Sequence, residues 1–191
     1  MEPIEIEVKF SVADPEQIRN TLHRCGARLV TGRVFEVNHR YDDPNDELRK
    51  KRMILRLRKD TRARLTLKGK PAGATESDFK VHTELAVEVD DFDTMERIIQ
   101  ALGFERRQTY EKWRETYALH DTEIVLDTLP YGEFIEIEGD RENIRYVCEL
   151  LGLDWEQRIL TSYIELFERE KKRKGFTFSD ITFENFKGIC P

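Results

Sequence analysis

Ile4-Glu5-Ile6-Glu7-Val8-Lys9-Phe10 alternates strictly: Ile4, Ile6, Val8 and Phe10 share one face, and Glu5, Glu7 and Lys9 the other. A period of two marks a β-strand. Its second face is charged rather than merely polar, and the chain repeats that arrangement. Arg56 and Arg58 alternate with Leu55 and Leu57, and Thr66 and Lys68 with Leu65 and Leu67. Lys112 and Arg114 flank Trp113, while Glu136 and Glu138 flank Ile137 with Phe134 before them. Five strands with one apolar and one densely charged face predict a sheet wrapped around a charged space. Closure gives that face a place and removes the sheet edges. The expected fold is α+β, a closed or nearly closed antiparallel β-barrel with covering helices.

The 191 residues allow one substantial core, and the expected division is a barrel domain over 1–170 with a basic and aromatic tail over 171–191. A net charge of -6 argues against a general nucleic-acid surface while leaving room for a local basic cavity. Cys25, Cys148 and Cys190 show no CxxC spacing, and His23, His39, His82 and His120 are scattered, so no zinc cluster is expected. Neither a targeting segment nor a stretch of membrane-spanning length is apparent, and the expected location is the cytoplasm. No glycine-rich Walker motif is present.

Between the strands, Asp14 reads as the cap of a helix with Ile18, Leu22, Cys25 and Leu29 on its apolar stripe. Residues 34 to 42 read as a strand, followed by a polar turn and the basic run Arg49 to Arg52. A hairpin is expected over 53–59 and 62–68, then a flexible loop from Gly69 to Phe79 holding Pro71-Ala72-Gly73-Ala74, with Lys70 and Lys80 placed to approach a ligand at one end of the barrel, then a strand over 83–89. Asp93 reads as the cap of a helix with Met95, Ile98, Ile99 and Leu102 facing inward, and Asp140 as the cap of another carrying Ile144, Val147, Leu150 and Leu151. Residues 104–119 hold a strand or bent pair, with further strands over 122–128 and 134–138. After Glu156 a terminal helix is expected to pack Ile159, Leu160, Tyr163, Leu166 and Phe167. Phe176, Phe178, Ile181, Phe183 and Phe186 make the tail too apolar for a free linker. It is expected to pack on the domain or on a second subunit, which makes a homodimer the macromolecular partner to look for.

The sequence resembles the CYTH proteins, or triphosphate tunnel metalloenzymes: class IV adenylyl cyclases, thiamine triphosphatases and inorganic triphosphatases. The Glu-x-Glu-x-Lys opening is met by Glu5, Glu7 and Lys9. Leu55-Arg56-Leu57-Arg58, Leu65-Thr66-Leu67-Lys68-Gly69, Lys112-x-Arg114 and Glu133-Phe134-Ile135-Glu136-Ile137-Glu138 follow in the family's order. Together they cover roughly residues 4 to 168. Departures occur at Glu36, Arg40, Tyr41 and Asp42, where the family commonly has a glutamine and a Tyr-Phe-Asp end, and at His82 and Thr83, where an arginine is often found.

A triphosphate concentrates negative charge, and convergent Lys and Arg side chains suit it, Arg through bidentate contacts. Lys9, Arg56, Arg58, Lys68, Lys112 and Arg114 form the expected phosphate-binding set, and Lys9, Lys112 and Arg114 the expected catalytic set. Carboxylates beside such cations point to a hard divalent metal, Mg²⁺ with Mn²⁺ as a substitute. Glu5, Glu7, Asp127, Glu136 and Glu138 are the candidate metal acids, with Glu84 and Glu88 as further acidic candidates. The resemblance implies an enzyme acting on ATP or another small triphosphate, with no nucleic-acid or membrane partner. The compact length, Lys112-Trp113-Arg114 and the 134–138 block look most like the class IV adenylyl cyclases, which convert ATP to cyclic AMP and pyrophosphate. Thiamine or inorganic triphosphate hydrolysis is the alternative within the family, and a non-catalytic triphosphate-binding module the alternative outside enzymes.

Overall fold

The alternating segments become strands in the computed structural model, which describes residues 4–71 and 77–189. The order is β1 (Ile4–Ser11), α1 (Pro15–Arg24), β2 (Arg28–Asp42), α2 (Glu47–Lys50), β3 (Ile54–Lys59), β4 (Ala63–Gly69) and β5 (Lys80–Val89). Then come α3 (Phe92–Ala101), β6 (Glu105–Leu119), β7 (Thr122–Leu129), β8 (Gly132–Glu138), α4 (Arg141–Leu150), a 3-10 turn (Trp155–Gln157) and α5 (Tyr163–Lys174). The strands close into one barrel in the order β1-β5-β4-β3-β2-β6-β7-β8. Every pairing is antiparallel, and β1 completes the ring between β5 and β8.

The apolar faces point outward and those of β1, β3, β7 and β8 pack beneath helices, so the cores lie outside the barrel, while Leu85 and Val87 of β5 are exposed. Val8, Phe10, Ile124 and Ile137 pack with Leu22 of α1 and with Ile144, Val147 and Cys148 of α4. Tyr41 and Leu57 pack with Phe92 and Ile99 of α3. Each such side chain, fully buried, contributes about 1.5–3 kcal/mol. The charged faces point inward. One register step would exchange the two faces, so these cores fix which side chains enter the interior.

Several boundaries differ from those the sequence predicts. Leu29 belongs to β2, not to the helical stripe, because α1 stops at Arg24 and the strand begins at Arg28; its side chain is 53% exposed. The cap of α3 is Asp91, whose side chain accepts from Thr94 N at 2.6 Å, while Asp93 lies in the first turn. Leu102 and Ile98 are exposed rather than inward. Residues 105–119 form one long strand. Ile159 and Leu160 precede α5: Ile159 N donates to Lys9 O at 2.7 Å in an isolated β-bridge, and the helix starts only after the Ser162 cap.

Beyond α5 the chain folds back on the barrel. Ile181 forms a parallel bridge with Tyr110 of β6, and Phe176, Phe178 and Phe186 surround Phe167. Ala72-Gly73-Ala74 of the expected flexible loop, and Cys190, lie outside the described residues. No helix among the described residues is long and apolar enough to cross a membrane.

Candidate functional site

The inward faces enclose a cavity of about 540 Å³, lined by nine basic and six acidic side chains. That excess of cations makes it a site for an anion. The two signs are not mixed evenly. On the β1, β4, β5 and β8 side every lysine has a carboxylate. Lys68 Nζ pairs with Glu5 and lies 2.6 Å from Glu84 Oε2, and Lys80 Nζ lies 2.5 Å from Glu7 Oε1. Lys9 Nζ is 2.7 Å from Glu136 Oε1, at an angle too oblique for a hydrogen bond.

On β6 and β7, Asp127 gathers donors. Lys112 Nζ donates to its Oδ2 at 3.0 Å, and Arg114 Nε and Nη2 donate at 2.7 and 2.5 Å. Arg114 Nη2 also donates to Glu136 Oε2 at 2.8 Å. The first residues of α5 enter the cavity here. Tyr163 Oη donates to Asp127 Oδ2 at 2.8 Å, and its ring lies 4.1 Å from Lys9 Nζ and 5.2 Å from Lys112 Nζ.

The β2 and β3 side is different. Arg56 Nη1 donates to Tyr110 Oη at 3.2 Å and Arg40 Nη1 to Gln108 Oε1 at 3.4 Å; among the described residues neither arginine has a carboxylate partner. Arg58 lies 3.4 Å from both Glu36 and Asp60. One wall therefore offers guanidinium groups with capacity to spare, and the other offers carboxylates held by lysines.

Protonation follows this division. Burial pushes Glu5 up to about 8, assisted by its hydrogen bond with Glu84 and opposed by Lys68. Glu84 goes the other way, against its burial, because it accepts that hydrogen bond and faces Lys68. The two carboxyl groups crowd around the same Lys68 and are displaced in opposite directions. Burial and the nearby Glu123 push Glu138 up to about 7. Glu136 is buried too, but Lys9 and Arg114 outweigh that and hold it well below the usual carboxylate range. Carboxyl groups raised by burial and by neighbouring acids mark places where acid groups crowd and a cation is favoured.

Of the residues singled out in the sequence, Lys9, Arg56, Arg58, Lys68, Lys112 and Arg114 all line the cavity, as do Glu5, Glu7, Glu84, Glu136 and Glu138. Asp127 is fully buried behind Lys112 and Arg114 rather than on the wall. Glu88 lies outside the lining, half-exposed and paired with Arg62 at 2.9 Å. Lys80, expected to approach a ligand from the loop, lines the cavity from β5, and Arg40, Arg64 and Glu123 are lining residues absent from the expected site sets. Strand phase was available: Arg64 is in phase with Thr66 and Lys68, and Lys80 with Glu84. Tyr163 had no such signal, because it begins a helix. Among the described residues no three His, Cys, Asp or Glu side chains close into a ready-made metal group. The donor chemistry nevertheless fits a hard cation: the wall acids supply oxygen ligands only, of the kind Mg²⁺ combines with water and substrate phosphates.

The sequence model of the CYTH domain matches residues 3–158. No curated protein matches the chain. Among solved structures, a candidate adenylate cyclase from Vibrio parahaemolyticus superimposes with a TM-score of 0.79 at 20% identity, covering 88% of this chain and 99% of its own. A Pyrococcus horikoshii protein gives 0.69 at 27% identity, covering 85% and 98%. A candidate adenylyl cyclase from Hippeastrum, described as having a dominant triphosphatase activity, gives 0.60 at 16% identity, covering 93% and 98%.

Proposed function

The chain belongs to the CYTH domain family, and from that membership and its cavity we propose a divalent-metal-dependent enzyme that hydrolyses a small triphosphate. The observation that carries this reading is the two-sided wall. Among the described residues Arg40 and Arg56 face the cavity without carboxylate partners, opposite carboxylates that lysines hold. In this reading Arg56, Arg58 and Lys68 take phosphate oxygens, and Lys9, Lys112 and Arg114 stabilise the charge that builds at the reacting phosphate. Glu5, Glu7, Glu136 and Glu138 would hold Mg²⁺, which when bound neutralises phosphate charge and orients the reacting oxygens. Asp127, expected among the metal acids, orients Lys112 and Arg114 instead, since its oxygens already serve them and Tyr163.

Cyclisation of ATP is the second reading, and the Lys112-Trp113-Arg114 and 134–138 blocks favour it. Hydrolysis ranks first because cyclisation needs the ribose hydroxyl aligned and water excluded, which calls for a seat for the base. Both cavity tyrosines are already engaged: Tyr110 by Arg56, and Tyr163 by Asp127 with Lys9 over its ring. Purified protein incubated separately with tripolyphosphate, thiamine triphosphate and ATP, with and without Mg²⁺ or Mn²⁺, tests the choice by chromatography of products. Metal-dependent orthophosphate supports hydrolysis; cyclic AMP with pyrophosphate replaces it by cyclisation. Binding without turnover of any of the three leaves a binding module. Glu138→Gln is expected to reduce metal-supported turnover at least tenfold by order of magnitude, and unchanged turnover would remove Glu138 from the metal set.

A further inference from the structure

Glu36 belongs neither to the lysine-held carboxylate wall nor to the proposed metal acids. Glu36 of β2 is fully buried behind the arginine wall. Its Oε2 lies 3.4 Å from Arg58 Nη1 and its Oε1 3.5 Å from Lys112 Nζ. Asn38 Nδ2, equally buried, donates to Oε1 at 2.8 Å, while Oε2 has no hydrogen-bond donor among the described residues. A buried carboxylate with one oxygen undonated is a costly way to anchor side chains. Burial favours its neutral form, but Lys112, Arg114, Arg58 and Arg56 together outweigh that and keep it ionised. Those four cations are all assigned above to phosphate.

Resting on the triphosphate reading, we infer that Glu36 sets which phosphate-chain charge the cavity prefers. It cancels one positive charge beneath the arginine wall without touching the ligand. A fixed charge acts on a ligand in proportion to the ligand's own charge, and inside the barrel salt screens it weakly. Glu36 therefore works most strongly against the most highly charged chain. It lowers the preference for inorganic tripolyphosphate relative to an organic ester such as thiamine triphosphate, whose ring cation reduces the net charge. Glu36 is a positioning and charge-setting residue, acting through Arg58 and Lys112.

A purely structural role would weaken every ligand alike, so the selectivity ratio is the measurement to make. Calorimetry with Mg²⁺ gives the affinities of tripolyphosphate and thiamine triphosphate for the wild type, Glu36→Gln and Glu36→Asp. Glu36→Gln is expected to raise the affinity ratio in favour of tripolyphosphate about threefold to tenfold, and Glu36→Asp to keep the wild-type ratio. Glu36→Gln removes one counter-charge from a cluster of four buried cations and can fail to fold. A cycle with Arg58→Gln covers that case: Arg58→Gln alone lowers the ratio, and adding Glu36→Gln restores it. An unchanged ratio in Glu36→Gln, or a ratio in Arg58→Gln that the second substitution does not restore, overturns the inference. Wild-type protein that binds neither ligand overturns the triphosphate reading itself and the inference with it.

Discussion

Arg56 holds its guanidinium in the cavity against a tyrosine oxygen rather than a carboxylate. Its donors are therefore available to phosphate, at about 1.5–3 kcal/mol for each charge-assisted hydrogen bond. Arg56→Ala should weaken tripolyphosphate binding by about tenfold to a hundredfold. Calorimetry giving wild-type affinity would take Arg56 out of the site. The carboxyl groups across the cavity make a prediction of another kind. Glu5, near 8, and Glu138, near 7, both titrate above an unfolded glutamate. The folded protein then binds protons that the unfolded chain releases, so this stability is complete at low pH and is lost as pH rises through those values. His82 works in the opposite sense, because burial and Lys80 lower it to about 4; its contribution grows with pH and is complete above the unfolded histidine value. The carboxyl effect should thus stand alone between about pH 6.5 and 8. The melting temperature without ligand should fall across that interval, and Mg²⁺ should reduce the fall. A melting temperature that rises from pH 6.5 to 8 without metal would contradict the carboxyl assignment.

Among the elements, α5 is the one that a strand pattern could not place. Apolar Ile159 and Leu160 extend its helical period backwards, yet Ile159 bridges to Lys9 and keeps that stretch extended. A tertiary hydrogen bond decided the boundary, and no local propensity encodes it. The same holds at α3, where Asp91 and Asp93 are both capping types and only the contact to Thr94 tells them apart. The strands were more legible, because a period of two assigns each residue to a face whatever it later touches. Glu36 shows where that runs out: phase places an acid inside a barrel but does not say that it sits beneath four cations. The tail that follows α5 is seated by Ile181, which is fully buried against Tyr110 and Phe167. Ile181→Ala should cost about 2–5 kcal/mol of unfolding free energy in urea. A loss below 0.5 kcal/mol, by the usual scale of surface substitutions at about that size, would mean the tail adds nothing to the fold.

Taken whole, the barrel reverses the usual arrangement, with apolar cores outside the sheet and charge within. Its interior cations outnumber its carboxylates, so a polyanion should stabilise the fold as well as occupy it. At a free concentration a hundred times Kd, a ligand specific to the native state adds about 2.7 kcal/mol. Tripolyphosphate with Mg²⁺ should therefore raise the melting temperature by several degrees, while orthophosphate at equal ionic strength should not. Equal shifts from both would reduce the effect to screening.

The position of β1 between β5 and β8 has a consequence in time. Of the eight barrel strands β1 is made first, and it has neither neighbour available until residues 80–89 and then 132–138 have followed it. Closing the ring is a long-range event of the kind that folds slowly. Through that interval Ile4, Ile6, Val8 and Phe10 wait as an unpaired segment rich in β-formers. Glu5, Glu7 and Lys9, set between them, put a charge at every second position and discourage pairing with a neighbouring nascent chain. The residues that face the cavity at the end are the ones that keep the growing chain apart from its copies at the start.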